Sequence, residues 1–186
     1  IFFLVSLTLV TMTFVNIDKF IDLFLFDQGH SVSVVGNVKV LFGLAFISTN
    51  LLVVPKIKKY LGNVYVLQTI SVIMGIIILF VFMHTSYLVL LCTVFLLFIA
   101  LKGIYTTSEQ LFLSSIVKEG NITIFMGLRQ SFACLGMVLG PIIGGHLYYH
   151  NQINVFLFSV MCLLLSSLLL SYIQLKTKIE NEYSPA

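Results

Sequence analysis

The chain has 186 residues, 59% hydrophobic and only 9% charged, with a mean hydropathy of +1.10. A soluble domain carries about 25% charged residues, so this composition excludes an ordinary water-facing surface and points to lipid as the solvent. The net charge of +3 does not mark a nucleic-acid binder, because the basic residues outside the apolar runs cluster in short connections, where they set membrane topology.

Six segments are long and apolar enough to cross a core that takes roughly 20 residues of helix: 2–26, 34–54, 64–83, 88–113, 122–148 and 153–173. The expected fold class is therefore an all-α membrane protein of six transmembrane helices, with residues 1–175 as one bundle and 176–186 as a cytoplasmic tail. The first residue is Ile1 and the opening IFFLVSLTLV is already apolar, with no basic leader or small-residue cleavage site. The start is read as a cut edge.

Between the segments lie DQGHS (27–31), PKIKKYLGN (55–63), HTS (84–86), VKEGN (117–121) and YHNQ (149–152). Connections this short make successive helices antiparallel neighbours. Lys56, Lys58 and Lys59 fall in the second connection, Lys118 in the fourth, and Lys176 and Lys178 in the tail. The first, third and fifth connections hold neither Lys nor Arg. Because cytoplasmic loops are enriched in these residues, both ends are expected on the cytoplasmic side.

Ionised side chains within a span are costly and mark candidate sites. Seven occur: Asp18, Lys19, Asp22, Lys39, Lys102, Glu109 and Arg129. Asp18 and Asp22 are spaced i, i+4 and share a helix face. They form either a cation-attracting patch in which protonation of one carboxylate contributes to exchange, or a structural group neutralised by Lys19 and Lys39. Glu109 and Arg129 fall at similar depth near the cytoplasmic side of the fourth and fifth spans, which predicts an ion pair. Lys102 lies seven residues before Glu109 with Tyr105 between, and residue counting finds no partner at its depth. It is expected to point at a cavity or toward an acid outside this chain.

The stretch GMVLGPIIGG (136–145) places poor helix formers in an apolar run. Gly136, Gly140 and Gly144 recur at i, i+4 and i+8, a pattern that lets two helix backbones approach closely in lipid. Pro141 removes the hydrogen bond to the Met137 carbonyl and crowds that turn, so a bend is expected there. A generic packing seam would explain the three glycines alone.

The fuller string, Gly-x-x-x-Gly-Pro-x-x-Gly-Gly including Gly145, resembles the motif of the antiporter branch of the major facilitator superfamily. It sits in the fifth of six spans, preceded by MGLRQSF (126–132) and followed by HLYY (146–149). The arrangement is similar to the carboxyl-terminal half of a drug:proton antiporter, helices seven to twelve. VPKIKKYLGN (54–63) resembles a weakened second copy of the family's loop between helices two and three, lacking its aspartate. LCTVFLLFIALKGIYTTSEQ (91–110) has no match to the arginine-bearing motif of helix four. Both departures favour the second half over the first.

The resemblance implies a secondary transporter that exports apolar or cationic drug-like compounds in exchange for protons, without a cofactor. Its partners would be a small-molecule substrate, protons, the lipid bilayer and a missing amino-terminal six-helix half, and not nucleic acid. A bacterial cell membrane is the expected location. Asp18, Asp22 and Lys102 are candidates for coupling or the substrate cavity, and Lys39, Glu109 and Arg129 for structural ion pairs. A sugar or metabolite transporter of the same superfamily, or a transport-inactive half that must assemble with a second half, remain alternatives.

An intramembrane enzyme is not expected, because neither GxSG with a paired His nor HExxH occurs, and the ATP-binding GxxxxGK[ST] loop is missing too. Cys92, Cys134 and Cys162 are odd in number and widely spaced, which argues for no disulfide framework and no zinc site. His146 and His150 stand at i, i+4 without an accompanying carboxylate or Cys, so no metal is expected.

Overall fold

The computed structural model of the protein describes residues 1–84, 87–117 and 121–183, without the side chains of Tyr87 and of residues 176–183. The described residues form helices joined by short turns, with no strand. In chain order they are α1 (Phe2–Asp27), α2 (Val32–Ser48), α3 (Val54–Ile57), α4 (Val64–Phe82), α5 (Tyr87–Cys92), α6 (Val94–Ile116), α7 (Ile122–His150) and α8 (Gln152–Tyr183). Among the described residues, five helical stretches are long and apolar enough to cross a membrane: α1, the run Val32–Tyr60, α4, α7 and α8 as far as Leu175.

Two expected spans differ in detail. The second does not end at the basic connection. A π-helical turn, Thr49–Val53, joins α2 to α3, and a 3-10 turn, Lys58–Tyr60, follows. Most of the segment read as a loop, residues 55–63, is therefore helical. Pro55 comes just after the π-helical turn, where the regular i→i−4 ladder is already interrupted, so its missing N–H does not end the helix there. The expected fourth span is divided at Thr93, whose backbone is non-helical (φ −124°, ψ −80°). Neither α5 nor α6 is among the five spanning stretches, since α5 is one short helix and α6 carries Lys102, Glu109 and the polar run YTTSEQ. Lys118 lies outside the described residues, as do the side chains of Lys176 and Lys178.

Local chemistry explains where the helices stop. Gly29 has φ +83°; its N–H bonds the Phe26 carbonyl at 2.9 Å and the His30 N–H bonds that of Leu25 at 3.1 Å. This double closure of the last carbonyls calls for a left-handed residue, which glycine adopts without strain. Asn63 starts α4 by accepting from the Tyr65 N–H at 3.0 Å, as a side-chain N-cap does.

α1 is the hub, packing along α7 on one side and α8 on the other; α8 continues onto α4, α4 onto α6, and α2 leans on α6. Stacked Phe82 and Phe156, with centroids 3.6 Å apart, join α4 to α8, and Phe24 meets both rings edge-on from α1. In lipid the hydrophobic effect does not drive helices together, so polar contacts and close packing hold the bundle. Ser6 Oγ lies 2.8 Å from Ser166 Oγ, Thr13 donates to the Ser159 carbonyl at 3.0 Å, and Gln68 bonds Ser171 and Gln174.

α6 and α7 barely touch. α7 buries only Ala133, Gly136, Gly140 and Gly144, and α2 buries only Val35, Val38 and Phe42. The opening between α1, α6 and α7 follows from that sparse contact.

Candidate transport cavity

The three buried glycines of α7 lie on α1. A β-carbon at Gly136 would stand 2.7 Å from the Thr8 carbonyl oxygen, one at Gly140 3.2 Å from that of Met12, and one at Gly144 2.7 Å from Asn16 Oδ1 and 2.6 Å from the Phe20 ring. Residues 8, 12, 16 and 20 are themselves one face of α1, so two i, i+4 stripes mesh. Thr8 Oγ1 adds a bond to the Phe132 carbonyl at 3.1 Å. Gly145 is outside the seam, with its nearest neighbour, Phe20, at 4.0 Å. α7 stays helical through Pro141.

This close approach fixes where α7 presents Arg129 to α6. Arg129 Nε donates to Glu109 Oε1 at 2.5 Å and Nη2 to Oε2 at 3.2 Å. The pair is two-pronged, with Glu109 only 2% exposed and Arg129 16%. Such fork geometry is the strongest form of a carboxylate contact.

Toward the other end of the cavity, Lys102 Nζ stands 2.6 Å from Asp18 Oδ2 and 5.2 Å from the centroid of the Phe14 ring. The partner that residue counting did not find for Lys102 is therefore within the chain. The break at Thr93 explains the miss, because depth counted through α5 overstates how far Lys102 lies along its helix. Measured from Val94, it is eight residues in, about 12 Å, a depth similar to that of Asp18. Lys39 forms a salt bridge with Asp22 at 3.0 Å and donates a hydrogen bond to the Asp18 carbonyl at 2.8 Å. The two aspartates are thus served by Lys39 and Lys102, and Lys19 makes no ion pair among the described residues.

Asp18 and Lys102 line two cavities. One, about 230 Å³, lies between α1, α6 and α7 and is bounded by both ion pairs with Phe14, Tyr105, Thr106, Gln130 and Met137. The other, about 340 Å³, lies between α1, α2 and α6 and adds Lys39, Phe42 and Phe46. The Asp18–Lys102 pair belongs to the wall of each. An apolar groove of about 540 Å³ between α1 and α8 is lined by Phe2, Leu9, Leu165, Leu168, Leu169 and Tyr172, none of them charged.

Some contributors were not legible beforehand. Gly103, next to Lys102, admits the π-helical turn of the second span so closely that a β-carbon there would stand 2.8 Å from Asn50 Nδ2. Asn16 is fully buried in the glycine seam, and neither polar atom of its amide has a partner among the described residues. Asp27, read as part of a loop, takes hydrogen bonds from Tyr148 at 2.5 Å and Gln152 at 3.0 Å, tying the end of α1 to the α7–α8 corner. The i, i+4 glycines announce a closely packed partner, but not which helix supplies it or that its face is Thr8, Met12, Asn16 and Phe20.

Comparison with curated proteins and with solved structures returned no match. The sequence profile of the Major Facilitator Superfamily matches residues 1–185. With a profile match over nearly its whole length and apolar helices that enclose a charged cavity, the chain belongs to the Major Facilitator Superfamily, whose members are secondary transporters and not enzymes.

Proposed function

We propose that the protein exports small drug-like compounds, apolar or cationic, in exchange for protons, and that the chain forms helices seven to twelve of the fold. The observation that carries this reading is the cavity between α1, α6 and α7, walled by two ion pairs and aromatic rings. Transporters of this fold bind substrate near the bilayer midplane between two six-helix halves that rock about the site. The α1–α6–α7 face would supply one wall, and an amino-terminal half the other.

In this reading Asp18 is the proton-exchanging carboxylate. Lys102 is its partner, and the pair belongs to the wall of both cavities. Asp22 and Lys39 brace α1 against α2, Glu109 and Arg129 hold the inner ends of α6 and α7, and the glycine seam with Pro141 and Gly145 seals one side. Both termini face the cytoplasm of a bacterial cell. The polar lining from Thr106 and Gln130 favours a second reading, transport of a polar metabolite by the same site.

The test is efflux by the protein at its native length in sealed membrane vesicles under an imposed pH gradient. Asp18→Asn should abolish proton-driven movement while leaving the amount of inserted protein unchanged. Unaltered transport at every pH would remove Asp18 from the mechanism.

A further inference from the structure

We infer that the cavity selects amphoteric compounds, with an anionic group on Arg129 and a cationic group on Asp18 held about 10 Å apart by an apolar body. This rests on the reading above that the α1–α6–α7 cavity is the substrate site. The argument comes from what each ion pair leaves unused.

A guanidinium has five N–H donors in a rigid fork. Glu109 takes the edge formed by Nε and Nη2. The other edge, Nη1 with the second Nη2 hydrogen, has no partner among the described residues, and Arg129 is a wall of the cavity. Glu109, 2% exposed and itself part of the cavity wall, holds the guanidinium in one orientation through both bonds. A carboxylate, sulfonate or phosphate would meet a donor fork whose orientation is already paid for by the first pair.

At the other pole the arrangement is complementary. Asp18 Oδ2 accepts from Lys102, its side chain is 49% exposed, and Oδ1 has no partner among the described residues. An ammonium or amidinium can add there while Lys102 stays bound. The two poles are offset by the seven residues from Lys102 to Glu109 on α6, about 10 Å of helix. Phe14 and Tyr105 lie along that stretch of wall and suit an apolar body. The four charged groups sum to zero, so a ligand of one sign would leave one pole unmatched, whereas an amphoteric ligand matches both.

The probes are ω-aminooctanoate, whose extended length matches the offset, octanoate and octylammonium. Each is titrated calorimetrically into the native-length protein in lipid nanodiscs. Because it meets both poles with charge-assisted hydrogen bonds, ω-aminooctanoate should bind at least about tenfold tighter than either singly charged probe. Asp18→Asn should lower its affinity to that of octanoate. Arg129→Lys keeps the pairing with Glu109 but lacks the second fork, and should lower it to that of octylammonium. Undiminished octylammonium binding by Arg129→Lys shows that this variant is folded.

A singly charged probe that binds as tightly as ω-aminooctanoate, while vesicle exchange remains sensitive to Asp18→Asn, would overturn the charge selection and leave the transport site standing. No binding by any probe, together with exchange insensitive to Asp18→Asn, would overturn both.

Discussion

Lys102 on α6 reaches Asp18 on α1 at 2.6 Å, and the pair is part of the wall of two cavities at once. It is half open, with Asp18 49% and Lys102 18% exposed, so screening limits what it contributes. A double-mutant cycle with Asp18→Asn and Lys102→Met should give a coupling of about 1 kcal/mol or less in thermal unfolding. A much larger coupling would mean that the pair is sealed from water in the bilayer.

The Glu109–Arg129 pair behaves differently because Glu109 is buried. Glu109→Arg or Arg129→Glu alone leaves like charges facing each other, and should destabilise the protein by about 3–5 kcal/mol. The double reversal should recover most of that loss, read as folded protein after detergent extraction. Absence of recovery would show that the pair depends on neighbours that tolerate only one polarity.

Substitutions along the glycine seam should be graded by distance and by what the β-carbon meets. Gly136→Ala puts a β-carbon 2.7 Å from the Thr8 backbone carbonyl and should cost about 1–3 kcal/mol through overpacking, whereas the close atoms at Gly144, 2.6 and 2.7 Å away, belong to the Phe20 ring and the Asn16 amide, which can shift, so Gly144→Ala should cost less. Gly140→Ala, with its nearest atom at 3.2 Å, should cost less, and Gly145→Ala, at 4.0 Å, should be close to neutral. Gly140→Leu should abolish efflux with insertion intact. Equal effects at 136 and 145, measured as melting temperatures in one detergent, would contradict the seam.

Asn16 is the polar residue that the seam encloses without a partner among the described residues. Each unsatisfied buried polar group costs about 1–3 kcal/mol, so Asn16→Leu, similar in branching, should raise the melting temperature. A fall would reveal that the amide is hydrogen-bonded in the membrane.

The proposed orientation can be checked by labelling. In a background without Cys92, Cys134 and Cys162, Lys58→Cys should react with an impermeant maleimide only when the cytoplasmic face is accessible. Reaction from the outer face would invert the topology.

The amino-acid sequence by itself determined the helical class, the membrane setting and the family resemblance. Runs such as 64–83 are too long and apolar for any other solvent, and the string around Gly140 and Pro141 is specific in order and spacing. It also carried the Glu109–Arg129 pairing, because both residues lie near one short connection and depth alone brings them level. The tertiary structure decided the rest. Only packing shows that α1 is the helix facing Gly136, Gly140 and Gly144, since a small-residue stripe describes one side of a contact and not its partner. Only the break at Thr93 brings Lys102 level with Asp18, because depth follows residue number along an unbroken helix alone. The cavity likewise depends on α6 and α7 standing apart, a distance between elements that no local pattern encodes.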